Sequence, residues 1–210
     1  MQAPLAFALF LLIPWMAMAY EQPDYEVLEK RDDFEVRGYA PYLVAETNVS
    51  GTFQSTGNEA FRRLAGYLFG DNRSREKMSM TAPVMQEPAA ASEKMEMTAP
   101  VTQTRGDADG AYVFAFVMPP KYTRETLPEP VDERVRIREV PARILAVRRF
   151  SGTWRRERFV ENEQALLAAL AQAGLATVGA PVYARYDAPF KPWFLRRNEV
   201  MIELRAGPRD

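Results

Sequence analysis

Ser50-Gly51-Thr52-Phe53 recurs as Ser151-Gly152-Thr153-Trp154, 101 positions further on, and this recurrence decides the fold. Upstream of it, Phe34, Val36, Arg37, Val44 and Ala45 fall on Val135, Ile137, Arg138, Leu145 and Ala146. Apolar character and spacing are thus kept through two predicted strands in each copy, where alternate residues share a face. Downstream, each copy runs into a predicted helix. Thr56-Gly57-Asn58-Glu59 has the form of a capping box, and Phe61, Leu64, Ala65 and Leu68 keep helical spacing up to Gly70. In the second copy, after a three-residue insertion, Asn162-Glu163 answers Asn58-Glu59, and Phe159, Leu166, Leu167 and Leu170 mark one face before Gly174. Further strands follow each helix: a methionine hairpin and Tyr112–Met118 in the first copy, Val182–Asp187 and Asn198–Leu204 in the second. The expected unit is ββαββ, present twice over about residues 25–118 and 131–204. This predicts an α+β fold, a distorted antiparallel β-barrel or curved sheet built from two pseudo-repeats, each with one packed α-helix.

A second, shorter repeat lies inside the first copy. Lys77-Met78-Ser79-Met80-Thr81-Ala82-Pro83-Val84 returns as Lys94-Met95-Glu96-Met97-Thr98-Ala99-Pro100-Val101. One polar residue separates the two methionines of each copy, so in extended strands Met78, Met80, Met95 and Met97 would form one flexible, polarizable wall. The polar stretch from Gln86 to Glu93 is long enough to turn the chain between them. Core filling is the plain role for such methionines, and a ligand wall the sharper one. Between the two large copies, Pro119 to Pro130 is too rich in proline for a sheet interior and reads as a surface connection bordering a cleft. Two pseudosymmetric halves on one curved sheet leave a groove at their junction, where a ligand is expected.

The ends and the composition bound the chemistry. Residues 1–19 are apolar from Leu5 to Met18 and end in Ala17-Met18-Ala19, which reads as a secretory signal peptide, with residues 20–210 as a single domain. The expected location is periplasmic or secreted, with no stable membrane insertion after cleavage; an uncleaved N-terminal anchor is the alternative. A formal net charge of −1 argues against nucleic acid as a partner. The chain has no Cys, which excludes disulfides and thiol chemistry, and no His, which removes the commonest zinc ligand and the usual proximal haem ligand.

The doubled Met-x-Met-Thr-Ala-Pro-Val, the Val117-Met118-Pro119 strand end with its Leu127-Pro128-Glu129-Pro130 loop, and Pro192-Trp193-Phe194-Leu195-Arg196-Arg197-Asn198-Glu199-Val200 closely resemble the SOUL haem-binding family. The resemblance runs from about Tyr25 to Leu204. It implies a barrel of two pseudo-repeats related to GyrI-like effector-binding domains, and a largely hydrophobic site for haem or another tetrapyrrole. Some family members are thought to place a histidine on the iron, and this chain departs from that pattern.

A flat macrocycle needs apolar area, cations for its propionates and, for haem, an optional iron ligand. Met78, Met80, Met95 and Met97 are the candidates for the apolar wall. Arg75, Lys77 and Lys121 are candidate carboxylate clamps, with Arg73 and Arg124 beside them, against a default of solvated surface. Trp193 reads as a lid or a core anchor. Glu199 shares a strand face with Met201 and Glu203, opposite Val200, Ile202 and Leu204, so it faces either solvent or the groove, where it would counter a cationic ligand. Without His or Cys, Tyr or Met is left for an axial position on haem iron, and Tyr42, Tyr67, Tyr122, Tyr183 and Tyr186 are the tyrosine candidates. No Gly-x-Ser-x-Gly elbow or metal-ligand spacing is present, so the expectation is a binder of a small hydrophobic ligand without catalysis. A binding module for other amphipathic or cationic molecules is the second reading, and a small-molecule hydrolase a distant third.

Overall fold

The computed structural model describes residues 22–74, 93–106 and 110–205. The predicted leader and the candidates Arg75, Lys77, Met78 and Met80 lie outside these residues. In chain order the elements are β1 (Tyr25–Lys30), β2 (Glu35–Tyr39), β3 (Tyr42–Ser50), α1 (Phe53–Phe69), β4 (Asn72–Arg73), β5 (Val101–Arg105), β6 (Ala111–Val117), β7 (Glu129–Pro130), β8 (Val135–Val140), β9 (Arg143–Phe150), α2 (Arg156–Gln172), β10 (Thr177–Arg185) and β11 (Asn198–Leu204).

Nine strands form one antiparallel sheet in the order β1-β2-β9-β11-β10-β5-β6-β3-β8, and β4 and β7 form a small separate ladder. The order contains an exchange. Strands β2 and β8, equivalent under the 101-residue shift, each pair with the strand that follows its counterpart in the other repeat: Gly38 of β2 faces Ile144 of β9, and Ala45 of β3 faces Ile137 of β8. The repeats also meet centrally at the β5–β10 seam, where Gln103 faces Tyr183.

Each repeat buries its own helix on the same face of the sheet. Leu64 and Leu68 of α1 cluster with Ala45, Val49, Phe114 and Phe116; Leu166 and Leu170 of α2 cluster with Phe34, Val36, Ala146, Val200 and Ile202. Tyr39, Leu145, Val147, Ala184 and Met201 cluster on the other face. Alternate residues of β2, β9 and β11 therefore serve opposite faces, and both faces of these strands are buried.

The recurring turn has a backbone reason. Gly51 and Gly152 hold equivalent positions and have φ of 147° and 140°, a region that disfavours a Cβ. The residue after Gly51 then caps α1: the Thr52 hydroxyl accepts from the Ser55 amide at 3.2 Å, and Ser55 Oγ accepts from the Thr52 amide at 3.1 Å. This capping box is worth about 1 kcal/mol. It starts the helix one turn before the predicted Thr56-to-Glu59 box, and Thr56 is an internal, buried helix residue. In α2 the buried positions are Phe159, Asn162, Leu166 and Leu170, while Leu167, predicted on the apolar face, is 38% exposed.

The predicted methionine hairpin is corrected in its second copy. Residues 93–100 form no strand, because their backbone is bonded elsewhere. Asn72 donates to the carbonyls of Tyr67 and Glu93 at 2.7 Å each and accepts from the Glu93 amide at 2.9 Å. The Met95 amide donates to the Leu68 carbonyl at 2.7 Å, satisfying a helix-end acceptor that has no partner within the helix. The strand that pairs with β6 begins only at Val101.

Candidate functional site

A cavity of about 490 Å³ opens on the helix side of the sheet across the β5–β10 seam. That size lies within the roughly 300–1,000 Å³ usual for small-molecule sites. The start of α1 supplies Phe53 and, two turns on, Phe61. Phe114 comes from β6, Val101 from β5, and Met97 and Ala99 from the segment before it. Trp154 enters ahead of α2, and the connection from β10 to β11 contributes Asp187 through Phe190. Phe61 and Phe190 are 40% and 89% exposed, so apolar rings reach the mouth. Trp154 is held by a bond from its indole N–H to Asn198 Oδ1 at 2.9 Å, and Asn198 in turn donates to the Gly152 carbonyl at 3.2 Å.

Among the described residues one cation faces this apolar space. The Arg185 guanidinium lies 5.5 Å from the Phe53 and Phe159 ring centroids and 5.8 Å from that of Trp154. Its Nη2 donates to Gln103 Oε1 at 2.6 Å. Its Nε is sealed from solvent without a hydrogen-bond partner, as is Gln103 Nε2. Among the described residues no carboxylate pairs with it. Burial pushes its pKa down to about 10, because the charged form loses hydration. Asp187, which also lines the cavity, is occupied: it pairs with Lys191 and accepts from the Arg197 amide.

The opposite face holds Glu199, fully buried. One carboxylate oxygen accepts from Arg197 Nε and Nη2 at 2.9 and 2.8 Å; the other accepts from Arg37 at 3.1 Å and from the Tyr186 hydroxyl at 2.7 Å. Arg37 also pairs with Glu35 at 2.7 Å. Two acids and two arginines thus balance. For Arg37 and Arg197, burial acts to lower the pKa, but Glu199 carries both guanidiniums above their ordinary value. Burial, followed by Glu199, raises the Tyr186 phenol well above its ordinary range, so it stays a donor.

The other predicted site residues are dispersed. Met97 lines the cavity, whereas Met95 is 3% exposed and packs in the core beneath α1. Lys121 is exposed, 5.2 Å from the Tyr122 ring, and does not line the cavity. Trp193, in the 3-10 turn Trp193–Leu195, is 57% exposed and packs edge-on to Phe194. Four tyrosine hydroxyls are engaged away from the cavity: Tyr67 with the Pro128 carbonyl, Tyr122 with Glu93, Tyr183 with Glu163, and Tyr42 with Arg143. Among the described residues no group of three or more acids is placed to hold a metal ion. No described helix is long and apolar enough to cross a membrane.

Sequence reasoning missed Arg185, Gln103 and the wall made by Phe53 and Trp154. A signal for the wall was present, since the 101-residue shift places Trp154 on Phe53. Both had been read only as turn markers. Arg185 carried a weaker signal, as a charge two residues from Tyr183 on the same strand face.

A curled antiparallel sheet of two ββαββ repeats, with both helices on one face and a cavity across the seam, defines the class of GyrI-like α+β proteins. The C-terminal domain of EcmrR superposes with a TM-score of 0.58 at 8% identity, covering 86% of this chain and 98% of that one. A hydrolase from Listeria innocua gives 0.58 at 11% identity, covering 85% and 94%. An uncharacterized conserved protein from Listeria innocua gives 0.57 at 9%, covering 90% and 94%. At these identities the likeness shows the fold alone. The family model for SOUL heme-binding protein matches residues 20–91 and 86–203, so the chain belongs to the SOUL haem-binding family. No curated protein matches the sequence.

Proposed function

We propose that this is an exported binding protein that holds haem or a related tetrapyrrole in the seam cavity, chiefly by apolar contact. Family membership supports the ligand class, and the aromatic cavity around an unpaired guanidinium is the observation that carries the site. Phe53, Phe61, Phe114, Val101, Met97 and Trp154 would hold the macrocycle. Bound haem would supply a redox-active iron, but the chain has no His or Cys to ligate it. Tyr186, the tyrosine lining the cavity, commits its hydroxyl to Glu199. That leaves the thioether of Met97, a weak donor to ferric iron, so iron adds little to affinity in this reading. The leader of residues 1–19 supports export, and no catalytic step is assigned.

The reading as a site for cationic ligands has less support, because Glu199 already bears two arginines and the cavity presents a cation of its own. The test is a titration of the mature chain with ferric haem and with iron-free protoporphyrin, followed by quenching of tryptophan fluorescence. Dissociation constants within about tenfold of each other, or roughly 1.4 kcal/mol, are expected. A much tighter haem complex would establish iron coordination, and no binding of either below about 100 μM would end the tetrapyrrole reading.

A further inference from the structure

Arg185 is the feature that the tetrapyrrole reading leaves least used. A guanidinium enclosed by three aromatic rings, with a sealed Nε, a neutral amide partner and no acid among the described residues, is an incomplete ion pair. Isolated charges in apolar surroundings are unfavourable, and native proteins almost always pair them. Its neighbours intensify this. The Arg196 guanidinium lies 4.5 Å from the Trp154 centroid and, among the described residues, is bonded to the carbonyls of Lys191 and Pro189. Asp187, the one acid on the cavity wall among the described residues, is engaged with Lys191.

We infer that the cavity selects ligands carrying a carboxylate, which enters beneath the apolar body and completes the ion pair with Arg185. The inference rests on the seam cavity being the ligand site, and it reaches beyond tetrapyrroles: any amphipathic molecule with a flat or flexible apolar body and one inward-pointing carboxylate fits. Arg is suited to this because its planar fork offers Nε and an Nη to the two oxygens of one carboxylate. Here Nη2 is held by Gln103 while Nε and Gln103 Nε2 are unpartnered but sealed from solvent, so the carboxylate takes the Nε–Nη2 edge by displacing the Gln103 amide. The carboxylate end thus sits inside, and the apolar remainder extends past Met97 and Phe61 to Phe190 at the mouth.

Two probe pairs test this with the mature chain: protoporphyrin against its dimethyl ester, and the fluorescent acid 11-(dansylamino)undecanoate against its carboxamide. Each acid should bind at least tenfold more tightly than its neutral partner. R185Q should abolish that preference while leaving the neutral probes unchanged, R185K should keep part of it, and R31Q, which removes an exposed cation, should change nothing. Circular dichroism identifies any misfolded variant, and in that case R185K against R31Q carries the comparison. Equal binding of acid and neutral forms, an equal loss of both in R185Q, or no binding of any probe overturns the inference. If the porphyrins fail but the dansyl acid keeps its Arg185-dependent preference, the tetrapyrrole reading falls and the carboxylate site stands.

Discussion

Arg185 and Glu199 are neighbours in the sheet, since Glu199 faces Ala184 across the β10–β11 ladder, yet their surroundings differ in kind. Glu199, on the side away from the helices, has both carboxylate oxygens saturated by two arginines and a phenol. Arg185, on the helix side, has one neutral hydrogen bond, aromatic walls and an open cavity before it. Burial alone therefore says little about a charged group's role. A saturated buried charge fixes the packing of the elements that supply its partners, whereas an unsaturated one beside a cavity leaves bonding capacity for something that arrives later.

Glu199→Ala should break the first member of this pair most severely. It leaves Arg37 and Arg197 buried without their shared acid, and removing one partner of a buried pair costs about 3–5 kcal/mol. Urea unfolding should show that loss; a change below about 1 kcal/mol would mean that the cluster relaxes to water. Next in size is Met97→Asp, which places a carboxylate on the cavity wall where it competes for Arg185. Haem and protoporphyrin should both weaken at least tenfold, about 1.4 kcal/mol, with the chain still folded by circular dichroism.

Arg185→Met should move stability the other way. Replacing an under-bonded buried cation by an apolar side chain of similar length should raise the unfolding free energy of the ligand-free chain by about 1 kcal/mol. A loss of stability would show that the aromatic cage satisfies the charge. The smallest effect belongs to the surface pair of Asp132 and Arg134, where the hydrogen bond from Arg134 holds the Asp132 carboxyl down at about 2. A depressed carboxyl stabilises the fold above its ordinary pKa, and that contribution fades as pH falls from about 4 through about 2. Being largely solvated, it should amount to less than about 1 kcal/mol, seen as the difference between wild type and Asp132→Asn in acid titrations of stability.

The repeats, the helices and strand β11 were legible because each imposes a period: 2 along strands, 3.6 along helices, and a positive-φ glycine at a recurrent turn. The central pairing of β5 with β10 and the exchange of β2 and β8 were not, since pairing between distant strands leaves no local pattern. The second copy of the methionine repeat misled for a related reason. Its alternation fits a strand, but Asn72 and the end of α1 claim its backbone, and those contacts are tertiary. Of the candidate residues, Glu199 lies neither in solvent nor in the groove as its strand pattern suggests, and its buried cluster left no local signal because its partners Arg37 and Tyr186 lie 162 and 13 positions away. Arg185 escaped notice because an arginine near a strand end is ordinary until its surroundings are known.

The exchange of strands bears on how the molecule can move. Three ladders join one repeat to the other: β2 to β9, β10 to β5, and β3 to β8. A hinge between two lobes turns about a single line, but three attachments spread across one sheet resist both bending and twisting of one half against the other. The strands on either side of the seam thus behave as a riveted plate, and their spacing beneath the cavity is set by the ladders. In the binding reading proposed above, a ligand would enter past the connection that carries Phe190, whose ring stands almost wholly in solvent at the rim.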